Sequence, residues 1–428
     1  MTNFYKKDHN LSSNVKNQVA IAFVILVIIA LFNVLSFSAV IFSDGDTSGV
    51  EDTNSVDNVN TQNNEEYAGP EKINSINDLI EDNHKLSRRD NLNEKGKNLY
   101  VQLYEATKNR TDFVYVDDDE YSDERCDALS DIFVKLLGYF VLMDHPELFW
   151  TNGGISVTSL PSDAGTEYRV TVLSDCDENN IDTYKTEIEA KAQEIIKSVP
   201  TGSDYEKALW VHDYIVENTT YNNDVSWFVG KEKNFSASIY SLLLKNESNC
   251  NGYSKTYKYL MDMLDIPCTV VAGVCNDGVL HAWNIIELDG EYYQVDTTWD
   301  DPVGGKQAVH HNYFCITDEE MYKSRTIDSA TSAPVCTATK MNYHVYNNLY
   351  AEEINDTVFS NAIDLYLKNN EDQIEIKFSS SDLVSQTEKY INSSNKFQKL
   401  LVQKGINSNT QVSYSNYDDT NVMEIIIE

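Results

Sequence analysis

NCNGYSKTYKYLMDMLDIPCTVVAGVCNDGVLHAWNIIELDGEYYQVDTTWDDP, residues 249–302, switches from helical to strand periodicity part-way along. After Cys250, the residues Tyr253, Tyr257, Leu260, Met261 and Leu264 recur at helical spacing on one face, and Pro267 stops the helix. Residues 268–274 then read as a strand, Asn276, Asp277 and Gly278 as a turn, and residues 280–288 and 291–298 as two further strands. Asp289-Gly290 is the preferred pair for a two-residue type I′ hairpin. One buried helix running into an antiparallel sheet predicts an α+β fold.

The hairpin also sets a register. With Asp289 and Gly290 as the loop, Leu288 faces Glu291, and counting back puts His281 opposite Thr298 and Trp283 opposite Asp296, all on one sheet face. His281 and Asp296 are then diagonal neighbours at roughly 7 Å, which long side chains close to a hydrogen bond. Cys250 falls in the first helical turn, where unsatisfied amides and the positive dipole end favour the thiolate. These spacings predict Cys250 as nucleophile, His281 as base and Asp296 as the group that fixes the imidazole tautomer. A slip of one residue would put base and orienter on opposite faces.

Three motifs in this order resemble the bacterial branch of the transglutaminase-like superfamily, a papain-related fold. They are Cys-x-Gly-Tyr-Ser at residues 250–254, His-Ala-Trp-Asn at 281–284 and Val-Asp-x-Thr-Trp-Asp-Asp-Pro at 295–302. DHPELFW at 144–150, WVHDYIVENTTY at 210–221 and NYFCIT at 312–317 are similar to extracytoplasmic, clostridial-type members, so the resemblance spans most of the chain after about Leu92. It implies a nucleophile helix packed on an antiparallel sheet and an acyl-thioester at Cys250. The family holds cross-linking transferases, peptidases and members without activity, so likeness of fold does not choose the reaction. For the oxyanion the Cys250 amide is the natural first donor. Tyr240 is placed like an aromatic of the bacterial branch, and its hydroxyl is a candidate second donor, with packing as the competing role. Trp283 is expected to wall the cleft or to pack beside His281.

A chain of 428 residues with 41% hydrophobic and 11% aromatic content supports two or three packed domains. Its 68 acidic against 33 basic residues, a formal charge of -35, leave no basic patch for a phosphate backbone and argue against nucleic acid as a partner. Residues 19–42 are apolar apart from Asn33, Ser36 and Ser38. As a helix at ~1.5 Å per residue they reach about 36 Å, enough to cross a bilayer. Lys6, Lys7 and Lys16 precede the stretch and Asp44, Asp46, Glu51 and Asp52 follow it, which predicts a cytoplasmic N-terminus and an extracytoplasmic bulk. A cleaved signal peptide is the alternative and leads to the same side. The expected organisation is a cytoplasmic N-terminus at 1–18, a transmembrane signal anchor at 19–42 and a disordered, acidic, Asn-rich stalk at 43–72. An α/β domain at 73–200, the transglutaminase-like domain at 201–341 and a C-terminal α/β domain at 342–428 complete it. The expected setting is a Gram-positive-type cell surface, with a protein or peptide substrate, no cofactor and no metal.

Seven cysteines leave at least one thiol unpaired, expected to be Cys250. Cys268 and Cys275 flank a strand and lie too far apart to bridge. A zinc site drawn from Cys250, Cys268, Cys275, His281, His310 and His311 lacks Cys-x-x-Cys or His-x-x-x-His spacing. Residues 117–119, and Asp300 with Asp301, show no EF-hand pattern. His212, on the helix predicted to follow Ser203, reads as structural. The leading expectation is therefore an acyl-transfer enzyme passing the acyl group to an amine or to water. The alternatives are a peptidase or amidase on surface substrates, or a non-catalytic module that keeps the fold for binding.

Overall fold

A computed structural model describes residues 72–427 apart from 83, 118–120, 163–164, 223–236, 302–308, 329–330, 332, 370–372 and 394. The predicted membrane anchor and all of the predicted stalk but its last residue lie outside the described residues, among which no helix is long and apolar enough to cross a membrane.

The first part of the described chain places helices α1 (Glu94–Asn109), α2 (Asp123–Leu136) and α3 (Glu178–Ser198) around strands β1 (Phe113–Asp117), β2 (Ile155–Ser162) and β3 (Gly165–Val172), paired in the order β1-β3-β2. α2 runs on through a π turn at Leu137–Val141 that carries the chain to Met143. Helix α4 (Asp204–Asn218) opens on a capping box in which Ser203 and Glu206 satisfy each other's backbone amides. It leads to strand β4 (Thr220–Tyr221), which pairs with β5 (Glu247–Ser248) beyond helix α5 (Ile239–Lys245).

Helix α6 (Cys250–Met263) buries Tyr253, Tyr257, Leu260 and Met261, the face the sequence predicts. It packs on the antiparallel sheet of β6 (Cys268–Cys275), β7 (Leu280–Leu288), β8 (Glu291–Val295), β9 (Phe314–Ile316) and β10 (Arg325–Ile327), ordered β10-β6-β7-β8-β9. Asp289 and Gly290 both take positive φ, 53° and 79°, as a type I′ turn requires, and Leu288 pairs with Glu291. Gly252 lets the helix tip close on its surroundings, since a Cβ there would lie 1.7 Å from Ser248 Oγ.

One expectation needs correction. The third strand ends at Val295 rather than Thr298, so His281 has no partner on β8; it pairs with Gly273 of β6 instead. The chain leaves the ladder because the Asp296 amide donates to the Tyr313 carbonyl at 3.1 Å and a turn follows, closed by Asp300 N to Asp296 O at 3.2 Å.

The last part packs α7 (Asp356–Asn369), α8 (Ser381–Ser393) and α9 (Lys396–Gln403) with strands β11 (Tyr350–Ala351), β12 (Gln373–Phe378), β13 (Val412–Tyr417) and β14 (Val422–Ile427), ordered β11-β12-β14-β13. It is tied to the central sheet by buried charge rather than by apolar contact alone. His212 bridges Asp213 at 2.9 Å and Asp300 at 3.0 Å, and His311 bridges Asp213 and Glu375 at 3.2 Å each. His310 and Asn312 both reach Glu424. Removing one partner of such buried pairs leaves an uncompensated charge, so the network constrains how α4, β12 and β14 meet. His212 is thus structural, as its place on a helix suggests.

Candidate active site

Cys250, His281 and Asp296 converge where the tip of α6 meets the open end of β7. As the first residue of its helix, Cys250 has a backbone amide without an intrahelical acceptor. Asn249 caps the turn, its side chain accepting from Asn251 N at 3.1 Å. The thiol is 7% exposed and packs against Met143, Val270 and Ala282. His281, the second residue of β7, reaches Asp296 Oδ2 with Nε2 at 2.7 Å, and the Cys250 side chain favours its charged form as well.

Asp296 is fully buried and has every lone pair occupied. Oδ1 accepts the amides of Thr298 and Trp299 at 3.1 and 3.2 Å, while Oδ2 accepts from His281 and from Nη1 of Arg325. Burial would raise its pKa, but the charges of His281 and Arg325 and their hydrogen bonds hold it well below the usual carboxylate range. Burial likewise works against a charged His281. The Asp296 carboxylate, and then the Cys250 side chain, outweigh it and lift the imidazole to about 9. An imidazole held by a fixed carboxylate beside a thiol can take up a proton and later hand it to a leaving group.

Trp283 packs behind the imidazole, with ring centroids 5.9 Å apart and planes within 16°. Its Nε1 donates to Gln294 Oε1 at 2.7 Å, which fixes the indole in the core. Tyr240 has its ring 4.7 Å from that of Tyr184 and 6.2 Å from that of Phe149, with Lys245 over it, a packing environment. A different phenol lies within electrostatic reach of the site. Tyr221 pairs with Ser248, two residues before Cys250, and burial followed by the charges of Cys250, Asp296 and Cys275 pushes its hydroxyl up to about 12.

Sequence reasoning missed three residues here: Tyr221, Trp299 and Arg325. Tyr221 closes the WVHDYIVENTTY motif, and Trp299 stands inside the Asp296 motif, so both had a local signal. Arg325 had none. It lies 29 residues beyond Asp296 on a three-residue strand.

The residues weighed as zinc ligands do not meet at one point. All seven cysteines are free and buried, Cys268 and Cys275 sit at opposite ends of β6, and His281 is engaged with Asp296. Two other groups have ligand atoms within 4.8 Å of one another, His212 with Asp213 and His311, and His310 with Glu375 and Glu424. In both, the imidazoles are already engaged with carboxylates. Of the acidic residues weighed for calcium, Asp117 pairs with Arg125 at 2.5 Å and Asp300 with His212.

A buried helix that begins at Cys250, an antiparallel sheet and a Cys-His-Asp cluster at their junction define an α+β class. Residues 189–297, which contain all three side chains, match the family model of the transglutaminase-like superfamily, so the chain carries a domain of that superfamily. No curated protein matches the chain. Among solved structures it is similar to a TGase at 16% identity and TM-score 0.24, covering 44% of this chain and 50% of that one. A provisionally assigned cysteine protease from Cytophaga hutchinsonii matches at 16% identity and TM-score 0.22, covering 34% of this chain and 62% of that one. The periplasmic domain of TgpA from Pseudomonas aeruginosa matches at 15% and 0.20, covering 32% and 55%. The chain thus spans half to about three-fifths of these structures, and scores this low carry no argument about activity.

Proposed function

We propose that this protein is an extracytoplasmic acyl-transfer enzyme with Cys250 as nucleophile, His281 as acid and base, and Asp296 as orienter. The observation that carries the reading is the buried imidazole bonded at 2.7 Å to a saturated carboxylate and coupled electrostatically to the thiol at the helix tip. In the first half-reaction the Cys250 thiolate attacks an amide carbonyl. The C–N bond breaks, and the imidazolium gives its proton to the departing amine, leaving a thioester and neutral His281. In the second, His281 takes a proton from an incoming amine or water, which displaces the sulfur and restores the thiolate–imidazolium pair. The family match and the cluster support a cysteine-based enzyme. An amine acceptor makes it a transferase and water a peptidase or amidase, acting on protein or peptide at the cell surface. Residues 19–42 supply the tether in this reading.

Iodoacetamide alkylation mapped by mass spectrometry tests the nucleophile. Burial raises the other thiols, Cys176 and Cys275 to about 11, and Cys126, Cys268, Cys315 and Cys336 upward too, so labelling near neutral pH is expected at Cys250 alone. Ordinary thiol reactivity at Cys250 would instead indicate a binding module that keeps the fold. A labelled glutamine peptide offered with a fluorescent primary amine then separates transfer from hydrolysis.

The Cys250 amide and the Tyr221 hydroxyl are the proposed oxyanion donors. Tyr221→Phe is expected to cut turnover by about 10²–10³ while Cys250 alkylation, which forms no oxyanion, stays at its original rate. Equal turnover in the Phe variant would remove Tyr221 from this role.

A further inference from the structure

The Asp296 carboxylate is shared by two cations. Arg325, the first residue of β10, is 0% exposed, and its Nη1 donates to the same Oδ2 that accepts from His281. Its guanidinium is boxed by aromatic faces, 3.8 Å from the centroid of Trp299, 5.2 Å from Tyr313 and 5.4 Å from Trp283. Nε reaches only Ser324 Oγ, at 3.3 Å. This buried arginine therefore has one charged partner among the described residues, and that partner is the orienter.

We propose that Arg325 is a positioning residue of this site: it pins the Asp296 carboxylate and, as a second cation on the same oxygen, limits how tightly His281 holds its proton. The inference rests on the catalytic reading above. Three fixed donors, two amides and Arg325, hold the carboxylate in one rotamer, so the imidazole meets an acceptor that does not turn. Like charges repel across the shared oxygen, and burial makes that repulsion larger than it would be in water. An imidazole with a private, buried carboxylate would keep its proton when the leaving amine needs it. With Arg325 present the proton is released more readily.

The groups that act on His281 are Asp296 at the end of β8 and Cys250 on α6; Arg325 on β10 meets the same Asp296 oxygen, and Tyr221 on β4 and Cys275 on β6 feel the charges of Cys250 and Asp296. Among these only Arg325 carries a fixed positive charge. Cys275 is its cross-strand neighbour, so guanidinium and site occupy one end of the sheet.

The test is an NMR titration of the full chain labelled with ¹⁵N-histidine, with the His281 signals assigned by difference against His281→Gln. Arg325→Gln and Arg325→Met, the latter fitting between the aromatic faces, are expected to move the His281 titration up by about one to two pH units. Arg325→Lys, which restores the charge, is expected to return it to within about half a unit of the parent value. A folded neutral variant that titrates as the parent overturns the proposal. So do two neutral variants that fail to fold while the lysine variant titrates away from the parent, because Arg325 is then a packing residue. Iodoacetamide labelling of the unaltered chain is read in parallel. An unreactive Cys250 sinks the enzymatic reading, whereas the imidazole titration reports on Arg325 whatever the thiol does.

Discussion

Cys250→Ala is expected to abolish the proposed acyl transfer, by on the order of 10⁶-fold if Cys250 is the nucleophile of a coupled triad, while the protein melts within about 5 °C of the parent. The two halves of that expectation come from different parts of the structure. Sγ packs against Met143, Val270 and Ala282, so losing one atom leaves a small void costing about 1 kcal/mol. His281 keeps its 2.7 Å bond to Asp296, and the carboxylate keeps Arg325 and both amides, so no buried charge loses its main partner. Chemically nothing replaces the sulfur. The remaining six thiols are buried elsewhere, and Cys275, the one whose charge is felt by Cys250's neighbours, is raised to about 11 by burial. The measurement is incorporation of a fluorescent primary amine into a glutamine peptide, beside a thermal melt by circular dichroism. Full activity in the alanine variant would strip Cys250 of its role. Loss of the melt would mean that the thiol is structural.

The geometry of the candidate site was legible in the sequence wherever it is local. Tyr253, Tyr257, Leu260 and Met261 mark the buried face of α6, and Asp289-Gly290 delivers the Leu288–Glu291 pairing on which the placing of His281 depends. That placing succeeds although the ladder stops at Val295, because Asp296 turns toward Tyr313 and still presents its carboxylate to the imidazole. What was not legible is set by long-range pairing. Arg325 enters through the match of a three-residue edge strand with β6, too short for periodicity to announce. The same holds for the bonds from His310 and His311 to Glu424 and Glu375, 114 and 64 residues away. Only folding brings such charges together, and each histidine read alone is unremarkable. Tyr240 illustrates the converse. Resemblance offered it as a donor, but its place on α5 sets its ring against Tyr184 and Phe149, while Tyr221, held beside Ser248 by β4–β5 pairing, feels the site's charges.

Asp296→Asn is expected to be the more damaging change of the two for the fold and nearly as damaging for turnover. The amide offers His281 the wrong hydrogen-bond partner and the wrong tautomer, with a loss of about 10⁴-fold in the analogous serine triad. It also leaves Arg325 buried with no counter-charge, a cost of about 3–5 kcal/mol. The pH dependence separates these effects. In the parent, His281 titrates at about 9 when folded, above its ordinary value. Its contribution is therefore fully present below about pH 6.5 and lost as pH rises through about 9, some 3 kcal/mol that it shares with Asp296. Asp296 runs the other way. Its folded value is depressed, so its contribution is present above about pH 4 and lost as the solution is acidified below that. In the Asn variant both slopes should flatten, because the carboxylate is the larger cause raising His281 and is itself the group that titrates in acid. Urea melts at pH 6 and pH 9.5 measure the alkaline slope. A variant that loses as much stability as the parent between those two values would show that the His281–Asp296 pair does not hold the proton, and the orienting role would pass to another group.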